Sequence, residues 1–185
     1  MAPTEPRAVA TVRSERGFTL IDLLFVMGMI AVLSALAIPG LTRARGAAQS
    51  TSAVTSMRTI NSAQLSFAIS CGFGFYAPDL PALGIPPPAS TAPYLSDDLT
   101  SGVTVMRSGY IFELLGTPAA MAPPSCNGLG AGQTAANYKV AADPVDPLIQ
   151  RFYGTNANGV VYWHTASLFA PMPEFGLPPV GQPVE

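Results

Sequence analysis

One acid, Asp22, lies inside an otherwise apolar run, and its chemistry needs an explanation. From Phe18 to Ile38 the other polar side chains are those of Thr19 and Ser34. A carboxylate in the middle of a membrane helix costs about 2.5–3.5 kcal/mol on insertion scales, so an acid there is a candidate functional group. Asp22 also lies about one turn from the start of the run, where it could reach the membrane interface or stabilise a helix N-terminus. Both roles remain open at this point.

The residue types that enzymes use are sparse and scattered. His164 is the only histidine, and it lacks partners at metal-ligand or catalytic spacing. The glycines of "GLGAGQ" at 128–133 follow no predicted strand and precede no predicted helix. We therefore interpret them as a flexible loop rather than a phosphate-binding loop. We expect a non-enzymatic protein without a cofactor.

Two pairs of aspartates could contribute oxygen ligands to calcium. Asp143 and Asp146 lie in "ADPVDP", and Asp97 and Asp98 lie in "YLSDDL". We favour turn-forming or helix-capping roles for all four and predict no metal site, keeping Asp143 and Asp146 as weak calcium candidates.

The net charge of −2 and the charged fraction of 11% provide no basic field for nucleic acid.

The run from Phe18 to Ile38 has the length of a membrane span. Twenty-one residues at about 1.5 Å each give about 30 Å, the thickness of the bilayer hydrocarbon. Pro39 and Gly40 follow as the expected break point, where we predict that the helix bends. Basic residues flank both ends (Arg7, Arg13 and Arg16 before; Arg43 and Arg45 after), and the balance favours a cytoplasmic N-terminus.

The segment "RGFTLIDLL", with Pro39 closing the span, resembles the N-terminal processing motif of type IV prepilins and of type II secretion pseudopilins. That motif has a short basic leader ending in glycine, an aromatic first mature residue, an acid five residues beyond the cut and a proline near mature position twenty-two. Gly17, Phe18, Asp22 and Pro39 fall in register with it. The resemblance covers about residues 13–70, and the remainder only in general layout.

The resemblance implies a pathway of processing and assembly. A prepilin peptidase would cut after Gly17, and the new amine of Phe18 would be N-methylated. Asp22 would then pair with that amine on a neighbouring subunit, with Pro39 in the assembling helix. The implied partners are copies of the chain, other pilin-like subunits and an inner-membrane assembly platform. The protein would lie in the bacterial inner membrane before entering a periplasmic or extracellular filament. The family usually has glutamate where this chain has Asp22.

Other interpretations of the N-terminus remain open. The segment 34–37, Ser-Ala-Leu-Ala, offers a signal-peptidase site, after which a soluble mature chain would begin at Ile38. A single-pass or secreted binding protein that does not polymerise is the alternative function. Within the filament family, a pilus subunit and a secretion pseudopilin are both possible.

On the interpretation that the resemblance implies, the chain divides into a leader (1–17), a membrane helix half (18–39), an amphipathic helix half (40–70) and a β-rich globular domain with Pro/Gly-rich loops (71–185). In the second helix half we predict an apolar stripe, with Met57 and Phe67 as core residues. Its members are Val54, Met57, Leu65 and Ala68, flanked by Ile60 and Gln64. Cys71 and Cys126 follow the span, so an oxidising compartment would favour one disulfide over two buried thiols.

Alternating residues predict strands at 103–107, 109–115 and 137–143, and a hairpin from "RFYG" to "GVVYW" turning at Asn158-Gly159. Tyr110, Phe112 and Leu114 share one face, which we expect to meet the helix. We expect 71–93 to be a loop with one short helical turn, and the proline-rich tail to be irregular. The predicted fold class is α+β: a long N-terminal helix, membrane-spanning in its first half, packed on a small antiparallel sheet as in pilins.

Overall fold

The structure, a computed structural model, describes residues 18–88 and 90–184, with only the backbone of Pro39. The predicted leader, including Gly17, lies outside the described residues. The chain forms two compact units, Met1–Arg43 and Ala44–Glu185.

Helix α1 spans Leu20–Ser70, 51 residues, and continues through Pro39 and Gly40. Pro39 therefore does not end the helix, although it lacks the amide that would bond the carbonyl of Ala35. A proline in a helix interior costs about 3 kcal/mol, and α1 nevertheless continues on both sides of it. Within the described residues, α1 is the one helix long and apolar enough to cross a membrane, and the span window is 0% buried.

The second part of α1 supplies the helical side of the core. Met57 and Phe67 are fully buried, as predicted, together with Ile60 and Gln64. Leu65 is 54% exposed, so its place in the predicted apolar stripe was wrong. At about 100° per residue, Leu65 turns away from the face that carries Gln64 and Ala68.

Six strands form one antiparallel sheet in the order β1 to β6. They are β1 Thr104–Arg107, β2 Tyr110–Leu115, β3 Lys139–Pro144, β4 Phe152–Asn156, β5 Val161–His164 and β6 Gln182–Pro183. Two short helices, α2 Leu80–Leu83 and α3 Asp97–Thr100, precede the sheet. The α+β layout is confirmed, as are the first five strands. The tail is not wholly irregular, because β6 pairs with β5.

The inner face of the sheet packs on α1. Tyr110, Phe112 and Leu114 are buried, while the residues between them face outward. The Tyr110 hydroxyl lies 3.2 Å from Ser50 Oγ. Gln64 is buried but satisfied, because its amide both donates to and accepts from the backbone of Ala77 at 2.9 Å. These polar contacts fix the helix against the sheet at Tyr110 and against the loop at Ala77.

The outer face of the sheet is covered over only part of its width. Leu168 and Met172 lie over β4, and they approach so closely that a Cβ on Gly154 would lie 2.7 Å from Met172 Cε. They form a small second core with Tyr162. The outer face of β1 and β2 remains open to solvent.

Candidate functional site

The N-terminal end of α1 is closed by a reciprocal pair of hydrogen bonds between Thr19 and Asp22. The Asp22 amide donates to Thr19 Oγ1 at 3.4 Å, and the Thr19 amide donates to Asp22 Oδ2 at 3.3 Å. The Thr19 hydroxyl also donates to Asp22 Oδ2. This arrangement is a capping box, which satisfies amides that the helix itself leaves unpaired.

The capping box uses Oδ2 of Asp22 and does not use Oδ1. Asp22 is exposed, and its Oδ1 accepts no hydrogen bond from the described residues. Phe18, directly before the cap residue Thr19, is 79% exposed. Asp22 has a local structural role and a free acceptor at the same time.

The helix surface that follows is apolar and uncovered. Every described side chain from Phe18 to Ile38 is exposed, and the large apolar ones are between 44% and 79% exposed. Such a surface is suited to a bilayer or to packing against other apolar surfaces. By length and composition, this segment is a candidate membrane span.

Cys71 and Cys126 form a disulfide that closes a 55-residue separation, with their Cα atoms 4.9 Å apart. The Cys126 amide also donates to the Cys71 carbonyl at 3.2 Å. The bridge ties the end of α1 to the loop before β3. Such bonds persist in oxidising compartments.

The two weak calcium candidates, Asp143 and Asp146, differ in their surroundings. Asp146 Oδ1 accepts from the Leu148 amide at 2.9 Å, a turn-forming role. Asp143 is half-buried on β3, where desolvation raises the pKa of its carboxyl against the opposing effect of a Ser167 hydrogen bond. Its Oδ1 has no hydrogen-bond partner. Across the described residues, no group of three or more His, Cys, Asp or Glu side chains could hold a metal ion.

The remaining residues that the sequence singled out have local roles. Asp97 and Asp98 lie in the first turn of α3, and Asp98 pairs with Arg107 at 3.1 Å. His164 is half-buried on β5, and its Nδ1 accepts from the Ala166 amide at 3.2 Å. In the loop 128–133, the Gly130 amide donates to Gln133.

The capping box is the feature of the site that sequence reasoning did not identify. Its signal, a threonine followed three residues later by an acid at the start of an apolar run, was present in "TLID". Comparisons with protein-family models, with curated proteins and with solved structures found no match.

Proposed function

We propose that this protein is a non-enzymatic structural subunit of a type IV pilus-like or type II secretion pseudopilus filament. It is cut after Gly17 by a prepilin peptidase and assembled through the apolar part of α1. The observation that carries the proposal is an uncovered apolar helix with one acid at its N-terminal end, continuous with a folded α+β unit. The in-register set of Gly17, Phe18, Asp22 and Pro39 supports the processing step.

The apolar surface must stay out of water throughout assembly. Exposing one Leu, Ile or Phe side chain to water costs about 1.5–3 kcal/mol. Helices that leave the bilayer together keep this surface away from water by packing against one another in a filament core. The folded units would then form the outside of the filament, and inner-membrane platform proteins would drive extraction.

Asp22 would set the axial register between subunits. Its free Oδ1 can accept from the Phe18 amine of a neighbouring copy while Oδ2 keeps the helix cap. Opposite charges at close range attract strongly where water is partly excluded. The cost of placing an acid at the membrane is thus offset in the assembled state.

A glycine substitution tests the processing step. In a bacterial host with a prepilin peptidase, Gly17→Leu should leave the full-length precursor in the inner membrane. Gly28→Leu is the matched control, because a Cβ at Gly28 meets nothing within 4 Å and the residue lies beyond the cut. Normal processing of the Gly17→Leu chain would rule out the peptidase assignment.

A second candidate function is a single-pass binding protein that does not polymerise. The capping box favours it, since it accounts for Asp22 without any neighbour. If this alternative is correct, removing the charge of Asp22 has no effect on assembly, because the protein does not polymerise.

A further inference from the structure

The open half of the outer sheet face carries an acid among apolar side chains. Met106, Ile111 and Leu115 are 69%, 38% and 44% exposed. Glu113 lies between Ile111 and Leu115 on the same face of β2. Its carboxylate makes no hydrogen bond or ion pair with any described residue. We call these four residues the sheet patch.

The back of α1 carries the complementary combination. Arg58, Leu65 and Ile69 are separated by seven and four residues, so they lie within about 40° of one another around the helix. Arg58 is exposed, and Leu65 and Ile69 are 54% and 77% exposed. The described part of the chain gives Arg58 no ion-pair partner. We call these three residues the helix patch.

The two patches point away from each other. The buried side of α1, with Met57 and Phe67, packs on the inner face of the sheet, with Phe112 and Leu114. The helix patch is therefore on one side of this two-layer unit and the sheet patch on the opposite side. A surface that fits a different surface on an identical molecule gives a head-to-tail contact, which extends into an open assembly.

The patches also agree in register along the helix. Strand β2 begins where Tyr110 contacts Ser50. It ends next to Gly116, whose Cβ position lies 3.4 Å from the Ala77 carbonyl that Gln64 binds. Strand β2 thus runs in the direction of α1, from the level of Ser50 to that of Gln64, with Glu113 between these levels.

Neighbouring units that point the same way can therefore match two contacts at once. With Arg58 opposite Glu113, Leu65 falls toward Leu115. Arg58 and Leu65 are separated by about 10 Å along α1. Glu113 and Leu115 are separated by about 7 Å along β2. Flexible arginine and leucine side chains span the difference.

We propose that the helix patch of one copy docks on the sheet patch of the next copy, with Arg58 paired to Glu113 and Leu65 and Ile69 packed on the apolar sheet residues. Charge complementarity selects a second copy as the occupant. The inference rests on the proposed filament function and adds the contact between the folded units.

Cysteine cross-linking of the full-length chain in membranes tests the contact. The native cysteines are occupied in their disulfide, so new cysteines report proximity. Leu65→Cys with Leu115→Cys, which leaves Arg58 and Glu113 in place, should give a ladder of dimers and higher multiples under mild oxidation. Leu148→Cys with Leu115→Cys is the control, because Leu148 is 87% exposed but belongs to neither patch. No ladder, the same ladder in the control, or a cross-link to a different protein would overturn the proposal.

Charge reversal provides an independent measurement. The same Leu65→Cys with Leu115→Cys pair serves as the reporter. Arg58→Glu or Glu113→Arg alone should lower its cross-link yield about five- to tenfold, and the double reversal should restore it. An intact Cys71–Cys126 bridge in each variant shows that the unit has folded. Equal yields in all four chains would contradict the pairing.

The outcomes separate this inference from the filament function. Filaments built from chains that begin at Phe18, but without the Leu65–Leu115 ladder, would refute the docking contact and leave the proposed function intact. A ladder from chains that keep their leader would support the contact and refute the proposed function.

Discussion

Asp22 contributes to α1 in two ways, as a helix cap and as a charge, and two variants separate them. Asp22→Asn keeps an oxygen that can accept from the Thr19 amide but removes the negative charge. Thr19→Val keeps the charge but removes the hydroxyl that completes the capping box. We predict that Asp22→Asn prevents filament assembly and that Thr19→Val reduces it only slightly.

The magnitudes of the two effects differ enough to be distinguished. Loss of a cap costs about 1 kcal/mol, a factor of about five in an equilibrium. A charge pair at about 4 Å near a protein surface contributes up to about 4 kcal/mol, a factor of about 10³ in subunit addition. Removing the charge also favours membrane insertion, by up to about 2.5–3.5 kcal/mol. A loss of assembly in Asp22→Asn therefore cannot result from failure to enter the membrane.

The assay compares protein sheared from cells as filaments with protein retained in the membrane, by immunoblot against the wild-type chain. Asp22→Glu restores the residue usual in the resembling family and is the matched control. We expect it to assemble. If Asp22→Asn assembled as well as wild type, or if Thr19→Val were equally defective, the charge-pairing role would be wrong and the cap alone would account for Asp22.

Two further predictions concern the folded unit. Replacing Cys71 and Cys126 by alanine removes a cross-link over 55 residues, which the loop-entropy relation values at about 4 kcal/mol. Denaturant unfolding of the detergent-solubilised chain, followed by the fluorescence of Trp163, should show this loss; a loss below about 1 kcal/mol would contradict it. Burial raises the pKa of Asp143, so its favourable contribution to folding is complete below its unfolded pKa of about 3.9 and is lost as pH rises through the folded value. Asp143→Asn should therefore be more stable than wild type at pH 7, by less than about 1 kcal/mol because the group is half exposed. Below about pH 4 the two proteins should be equally stable. If the variant were less stable than wild type at pH 7, the carboxylate would be favourable where it lies.

The parts of the fold set by local pattern were predictable from sequence. Alternation in 109–115 placed Tyr110, Phe112 and Leu114 on one face, and the structure buries that face against α1. The turn signal at Asn158-Gly159 was also reliable, because Gly159 has a φ of 77°, which favours glycine. Local chemistry decides these features, so a single sequence contains enough information for them.

The parts set by tertiary contact were less accessible. Leu65 fits an apolar stripe as well as its neighbours do, and only the position of the sheet decides that Phe67 is buried and Leu65 is not. The tail forms β6 by pairing with the edge of β5. The residues Gln182–Pro183 themselves do not indicate a strand. The helix also continues through Pro39, a residue type that more often ends or kinks a helix.

The candidate site likewise has a part that was predictable from local sequence and a part that depends on tertiary contacts. The sequence identified Asp22 as the residue to explain, and its spacing to Thr19 contained the capping box. The helix patch and the sheet patch could not be found in this way. Their relation depends on which sides of α1 and β2 remain uncovered after packing.

The most direct test of the filament account is the intact mass and N-terminal sequence of the mature protein purified from its native membrane. The account predicts a chain that begins at Phe18 and carries one N-terminal methyl group. A chain that begins at Met1 or at Ile38 would contradict it, because Asp22 would then have no amine of Phe18 to neutralise.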